Sequence, residues 1–330
     1  SAVAAPIYIS EIAPPERRGR LGALYQFNIV FGILVAYLSN YLLGTYLGEN
    51  AWRWMLGVEG IPAIIYTLMV VGVPQSPRWL ILKKNDVSSA TSILQLLNPG
   101  GNIEQLVQEV RDSVGQAGQR VSFLSRQYRF PILLAFLIAF FNQLSGINFV
   151  LYYAPRIFSQ AGIAEGSILG ASVPIGIVNL IFTLLGMALI DRLGRKQLLL
   201  IGSIGYIITL LGVAWAFHTG AAGFVVVMLV SAFVGAHAIG QGAVIWVFIS
   251  EIFPNNVRDY GMSLGSGTHW VFAALITMIT LPVLELFSPV EVFLFFAGMM
   301  GLQLLFVLFV MPETKGVPLE ELQKKLSQKG

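Results

Sequence analysis

The stretch ISEIAPPERRG, Ile9 to Gly19, recurs late in the chain as ISEIFPNNVRD, Ile249 to Asp259. Six positions agree at a constant offset of 240 residues: Ile9/Ile249, Ser10/Ser250, Glu11/Glu251, Ile12/Ile252, Pro14/Pro254 and Arg18/Arg258. Each copy is followed by two apolar segments and then by a proline motif, VPQSPR at Val73–Arg78 and MPETKG at Met311–Gly316. Pro74 and Pro312 lie 238 residues apart, close to the same offset. The repeat therefore covers a three-helix tail and runs in the same sense in both halves. Parallel internal repeats characterise one large class of transporters.

The material between the copies has to live in lipid. Of 330 residues, 56% are hydrophobic and 11% charged, with a mean hydropathy of +0.75. A soluble domain carries about 25% charged residues, so this chain cannot cover its surface with polar groups. A membrane helix needs roughly 20 apolar residues. Eight segments qualify, at about Leu21–Leu43, Trp54–Val73, Ile132–Tyr153, Ile168–Ile190, Leu198–Phe217, Phe224–Ile249, Met262–Leu284 and Val292–Met311. Residues Ser1–Ile9 are too short to span and read as the end of an earlier helix. Three spans precede the second copy and almost nothing precedes the first. Matched halves would require about three further helices before Ser1, giving twelve spans, six per half. The expected fold class is an all-α membrane protein of two pseudo-symmetric helical bundles. On that count the chain is an N-terminally truncated piece, holding spans five to twelve and the end of the fourth.

Charge sets the expected orientation. If the segments alternate, every Lys and Arg of the 20 except Arg53 and Arg156 falls on one side. Basic loops stay in the cytoplasm, so both ISEI copies, the long polar stretch and the C-terminus are expected there. Four parts follow: 1–75, the C-terminal part of an N-terminal bundle; 76–129, a cytoplasmic loop; 130–311, a six-helix bundle; and 312–330, a cytoplasmic tail. The loop holds a turn signal, NPGG at Asn98–Gly101. Short amphipathic helices flank it at Ser88–Leu97 and at Ile103–Val114, where Ile103, Leu106, Val107 and Val110 keep helical spacing.

Glu11 and Arg18, like Glu251 and Arg258, stand where helices meet the cytoplasm. Such charges are desolvated when a neighbouring helix closes and solvated when it parts, so they can latch one conformation. The plainer reading is a solvated charge that anchors topology.

Five motifs now combine: PQSPRWL (Pro74–Leu80), NQLSGINFVLYY (Asn142–Tyr153), DRLGRK (Asp191–Lys196), ISEIFPNNVR (Ile249–Arg258) and PETKG (Pro312–Gly316). Together they resemble the sugar porter family of the major facilitator superfamily, over essentially the whole chain and in the family's order. The resemblance implies twelve spans in two bundles, with a sugar bound between them.

A hexose offers hydroxyls that donate and accept, plus an apolar C–H face. Asn and Gln both donate and accept, and an indole suits the C–H face. Asn142, Gln143 and Asn148 form the densest amide cluster. On a regular helix Asn148 lies ~140° round the axis from Gln143. The amides face one cavity only if the helix breaks at Ser145–Gly146, where Gly146 is a poor helix former. Their alternative use is hydrogen bonding between helices. By resemblance, Gln143 and Asn148 are substrate-binding, and Tyr152 and Tyr153 form an extracellular gate. Gln26, Asn179, Trp246, His269 and Trp270 match further binding positions. Three positions depart from the family pattern. Asn142 stands where Gln is usual, and His269 where an amide is usual. A neutral His can substitute for an amide, or make the contact sensitive to protons. The third departure is Gln75, in place of a usual Glu, so Arg78 lacks its expected partner. In DRLGRK, Gly194 permits a tight turn, Asp191 can meet a helix N-terminus or Arg258, and Arg195 faces the cytoplasm. His237 reads as a packed polar residue and His218 as a loop residue.

The expected function is transport of a monosaccharide, hexose or pentose, by alternating access, with or without a coupled proton. A carrier for inositol or another polyol, and a sensor that binds sugar without moving it, are the alternatives; the short tail disfavours the sensor. No Ser–His–Asp order, HExxH or His/Asp ligand spacing supports an enzyme. No cysteine is present. No cofactor or metal is expected, and the basic residues track loop topology, not nucleic acid. The expected setting is the cell membrane, as a multi-pass monomer in the lipid bilayer.

Overall fold

The structure, a computed structural model, describes residues 5, 8, 9, 12, 18–97, 102–117, 122–254, 257–317, 321, 322 and 326. Glu11, the NPGG turn and most of the first ISEI copy lie outside the described residues. Among the described residues every regular element is helical. Seven helical stretches are long and apolar enough to cross a membrane. The count differs from eight for a simple reason. The first stretch, Gln26–Val71, runs for 46 residues and covers most of the first two expected segments. An uninterrupted α-helix of 46 residues would be about 70 Å long, roughly twice a hydrocarbon core of ~30 Å. Its interruption is local: α1 (Arg18–Leu47) ends at Gly48, a tight turn covers Gly48–Asn50, and α2 (Ala51–Val58) and α3 (Gly60–Val71) follow.

The chain forms two compact units, one of Ser1–Ile29 with Leu47–Ser122 and the other of Val30–Tyr46 with Phe123–Gly330. In the first unit the polar stretch folds as expected. Pro77–Trp79 opens a short helical segment that continues to Lys84, followed by α4 (Val87–Leu97) and α5 (Ile103–Ala117). Asp86 starts α4 by accepting from the Ser89 N–H at 3.0 Å and from the Ser88 and Ser89 hydroxyls. Leu80, Ile81, Ala90, Leu94 and Val107 make a small apolar core, with Ile103, Leu106 and Val110 packed on it. Each buried Leu or Ile contributes about 1.5–3 kcal/mol, enough to hold two amphipathic helices on a short base.

The second unit is built of α6 (Arg129–Leu144), α7 (Ile147–Gln160), α8 (Glu165–Leu193), α9 (Arg195–Thr219), α10 (Gly223–His237), α11 (Ala243–Ile252), α12 (Arg258–Leu286) and α13 (Pro289–Phe309). The end of α9 at Thr219 places His218 in a last helical turn, correcting the loop expected there. Helix α13 starts three residues before its apolar run. Ser288 and Glu291 form a reciprocal cap there, and Pro289 fills the first turn.

Two interruptions shape this unit. Between α6 and α7 the backbone turns at Gly146, φ +83°. Between α10 and α11 a widened π-type turn spans Ala238–Gly242. That turn packs backbone to backbone on α9: a Cβ on Gly240 would lie 2.8 Å from Gly202 Cα, and one on Gly202 equally close to Gly240 Cα. Small residues let membrane helices approach this closely.

Candidate functional site

The break at Gly146 does what the amide spacing requires. Asn142 and Gln143 end α6, and Asn148 begins α7. Asn148 Nδ2 donates to Gln143 Oε1 at 2.9 Å, and Gln143 Nε2 donates to Asn142 Oδ1 at 2.9 Å. All three are buried. The break is itself satisfied: the Ser145 hydroxyl donates to Asn142 O at 2.6 Å and accepts the Ile147 N–H at 3.3 Å. In lipid, freed backbone groups need such partners. Ser145 was not among the expected site residues, although a Ser beside a break is the signal that would have found it.

Helix α12 brings His269 to the cluster. Gln143 Nε2 lies 3.0 Å from its Nδ1 and 3.3 Å from its Nε2. The imidazole centroid lies 5.4 Å from that of Trp246 of α11 and 5.1 Å from that of Trp270. Trp246 is partly buried and Trp270 about half exposed. Six of the expected residues are therefore gathered, four by hydrogen bonds and Trp246 and Trp270 through His269. Asn179 on α8 is buried, and its Oδ1 takes the Thr183 hydroxyl at 3.5 Å. Tyr153 reaches α12, its hydroxyl donating to Thr277 O at 3.1 Å, while Tyr152 is exposed. Beside that pair, Tyr37 of α1 donates to Leu151 O at 2.6 Å. Gln26 lies in the first unit and is partly buried.

A second polar group runs deeper. Gln241 Nε2, in the widened turn, donates to Gln303 Oε1 of α13 at 2.7 Å. Gln303 Nε2 donates to Ser203 Oγ of α9 at 2.8 Å, and Ser203 donates to Leu199 O at 2.7 Å. All three side chains are fully buried. Tyr206 and His237 pair alongside at 2.6 Å.

At the end of the unit carrying DRLGRK, charges gather on Arg195. Its Nη2 and Nε meet the two Glu251 oxygens at 2.7 and 3.1 Å, a bidentate pair. Nη1 meets Asp191 Oδ1 and Ile190 O, each at 3.2 Å. The Thr314 hydroxyl adds a 2.6 Å bond to Glu251. Glu313, from PETKG, accepts the backbone N–H groups of Arg195, Lys196, Thr314 and Lys315 at 2.9–3.0 Å. It thereby caps α9 from a distant part of the chain. Burial works to raise the Glu313 carboxyl, but these N–H groups hold it below the usual carboxylate range. The ion pairs seen among the described residues include those of Arg195 with Glu251 and Asp191. Asp191 thus meets Arg195, at the start of α9. Arg258 opens α12, and the Arg18 side chain falls outside what the structure describes.

This combination of a broken amide-bearing helix, flanking indoles and a charge cluster at one end suits a neutral polar solute. The family described as "Sugar (and other) transporter" matches residues 1–326. The chain belongs to the sugar (and other) transporter family. The D-xylose-proton symporter of Escherichia coli (strain K12) is 34% identical over 330 residues, covering 96% of this chain and 67% of the relative. The galactose-proton symporter of the same strain is 33% identical over 331 residues, covering 98% and 70%. Among solved structures, the partially occluded inward open xylose transporter XylE from E. coli superimposes with a TM-score of 0.80 at 32% identity, over 96% of this chain and 69% of that one. XylE is a major facilitator superfamily protein, and the chain shares that fold. As a family member it is a multi-pass membrane transporter.

Proposed function

We propose that the protein carries a monosaccharide across the cell membrane by alternating access. The amides Asn142, Gln143 and Asn148, joined across the Gly146 break, carry this reading. They offer neutral donors and acceptors at one point, which is what sugar hydroxyls need. Trp246 and Trp270 supply apolar faces beside them. Gln26 and Asn179 are assigned to the same substrate path, with Tyr152 and Tyr153 as its extracellular gate. The Arg195–Glu251–Asp191 cluster, with Glu11, Arg18, Arg78 and Arg258, serves as a cytoplasmic latch on the side where the basic residues collect. On this reading the C-terminus is cytoplasmic, 76–129 is a cytoplasmic loop, 130–311 is one six-helix bundle, and the carrier works as a monomer without enzymatic activity. The relatives' names include protons with their sugars, which supports proton coupling.

The test is uptake of labelled D-xylose, D-galactose and D-glucose by the full-length protein in proteoliposomes, with and without an inward proton gradient. Accumulation only with the gradient is the expected result. Gln143→Leu is expected to weaken uptake at least tenfold, roughly the cost of stranding its amide partners. Saturable binding with no uptake under either condition would replace the carrier by a sensor.

A further inference from the structure

Helix α7 carries a proline, Pro155, in its interior. A regular helix would use the N–H of residue 155 to satisfy Leu151 O, one turn back. Proline has no N–H, and its ring crowds that carbonyl, so helices kink there. The kink shows at Tyr153, whose φ of −114° and ψ of 16° leave the helical range. Leu151 O therefore needs a donor from outside its own helix, and lipid supplies none. Tyr37 of α1 supplies it: its hydroxyl donates to Leu151 O at 2.6 Å, from 114 residues away in sequence.

The approach of α1 is set by a glycine. A Cβ on Gly176 of α8 would stand 2.9 Å from Leu34 Cα and 3.2 Å from Tyr37 Cδ2. A larger residue there would push α1 and the Tyr37 ring away, so Gly176 fixes the distance from which the hydroxyl reaches α7. A second hydroxyl acts at the same kink, that of Tyr153, which donates to Thr277 O of α12 at 3.1 Å. The two bonds differ in kind. Four residues beyond Thr277 stands Leu281, inside α12 and with an N–H of its own. Four residues beyond Leu151 stands the proline. Leu151 O is thus the carbonyl that depends on a tyrosine.

We propose that Tyr37 is a positioning residue for the gate: its hydroxyl fills the acceptor freed by Pro155, ties the kinked outer half of α7 to α1, and must let go for that half to swing during transport. This rests on the carrier reading above. The chain has no cysteine, so spin labels on Tyr46→Cys and Gln160→Cys, near the outer ends of α1 and α7, would report one distance in the cysteine-free full-length protein in nanodiscs. Tyr37→Phe keeps the ring and removes the donor. It is expected to raise the ratio of separated to close populations about tenfold, the weight of one carbonyl left without its bond. Pro155→Ala returns an N–H to Leu151 O. In that background Tyr37→Phe is expected to change the ratio by less than about twofold, because the two substitutions act on one acceptor. An unchanged distribution in Tyr37→Phe would overturn the proposal. So would an undiminished tenfold effect alongside Pro155→Ala, since Tyr37 would then act through its packing and not through Leu151 O. Should Tyr37→Phe be too unstable to label, recovery of its melting temperature by Pro155→Ala supports the tie, and no recovery sinks it. Uptake of labelled D-xylose, D-galactose and D-glucose by the wild type is measured alongside. Its absence would defeat the carrier reading, and the distance ratios would still decide whether Tyr37 holds α7.

Discussion

Replacing Gly146 with Ala tests how the site is assembled. The residue sits at φ +83°, where an L side chain costs roughly 1–2 kcal/mol. A methyl there would also lie 2.8–2.9 Å from three ring carbons of Phe296, whereas carbons prefer about 3.5–4.0 Å. The ring has little room to retreat. Phe296 is 5% exposed, with Phe149 at 5.3 Å and Phe295 at 5.7 Å between centroids. Overpacking of this kind costs about 1–3 kcal/mol. The two parts sum to about 2–5 kcal/mol, and α7 has to shift or turn to relieve them. Asn148 moves with α7, so sugar affinity should fall together with the melting temperature. Adding Phe296→Leu should recover the packing share and leave the backbone share. Thermal denaturation of the full-length protein, with sugar binding measured on the same samples, reads both quantities. If Gly146→Ala melts and binds as the wild type does, the left-handed break does not organise the site. If Phe296→Leu recovers nothing, the clash was misjudged.

Two further outcomes follow from the buried groups. Gln303→Leu strands the Gln241 amide, while the Ser203 hydroxyl keeps its bond to Leu199 O, and should destabilise the protein by about 1–3 kcal/mol; Gln241→Leu added to it should recover most of that loss in a melting experiment. Glu313 has a carboxyl held low in the folded state, so its contribution is present above the unfolded carboxylate pKa and is lost as pH falls through the lower folded value. The stability gap between wild type and Glu313→Gln should therefore be full near neutrality and close only below about pH 4, as followed by denaturation across an acid pH series.

The fold was legible because lipid enforces it. A chain with so little charge must bury its backbone polar groups in helices, and the ISEI repeat reports their grouping. The break at Ser145–Gly146 was legible too, because amides at 142, 143 and 148 make sense together only across it. Two features were harder to read. The widened turn at Ala238–Gly242 leaves no mark in hydropathy, since Phe224–Ile249 is apolar on both sides of it. The Gln241–Gln303–Ser203 chain joins residues far apart in sequence, and nothing local pairs them. A signal existed, however: Gln303 is a lone amide inside an apolar span, and such a group is costly without a partner. The motif PETKG was recognised as a motif, yet the work of Glu313 was not, because its acceptors' partners are backbone N–H groups that carry no residue identity. For the first ISEI copy, Glu11 lies outside the described residues, so the charge cluster described is that of the second copy alone.

The widened turn has a consequence for length changes in this helix. Its hydrogen bonds close over five residues where an α-turn closes over four, so the segment 238–242 stores one residue in excess. Removing a residue there lets the turn relax to α-helical geometry while Trp246 keeps the face it presents to His269. The same deletion in the middle of α9 would swing everything beyond it by about 100° round the axis. The turn is thus a slack point in an otherwise rigid register, and the backbone contact between Gly202 and Gly240 is what keeps that slack in one place.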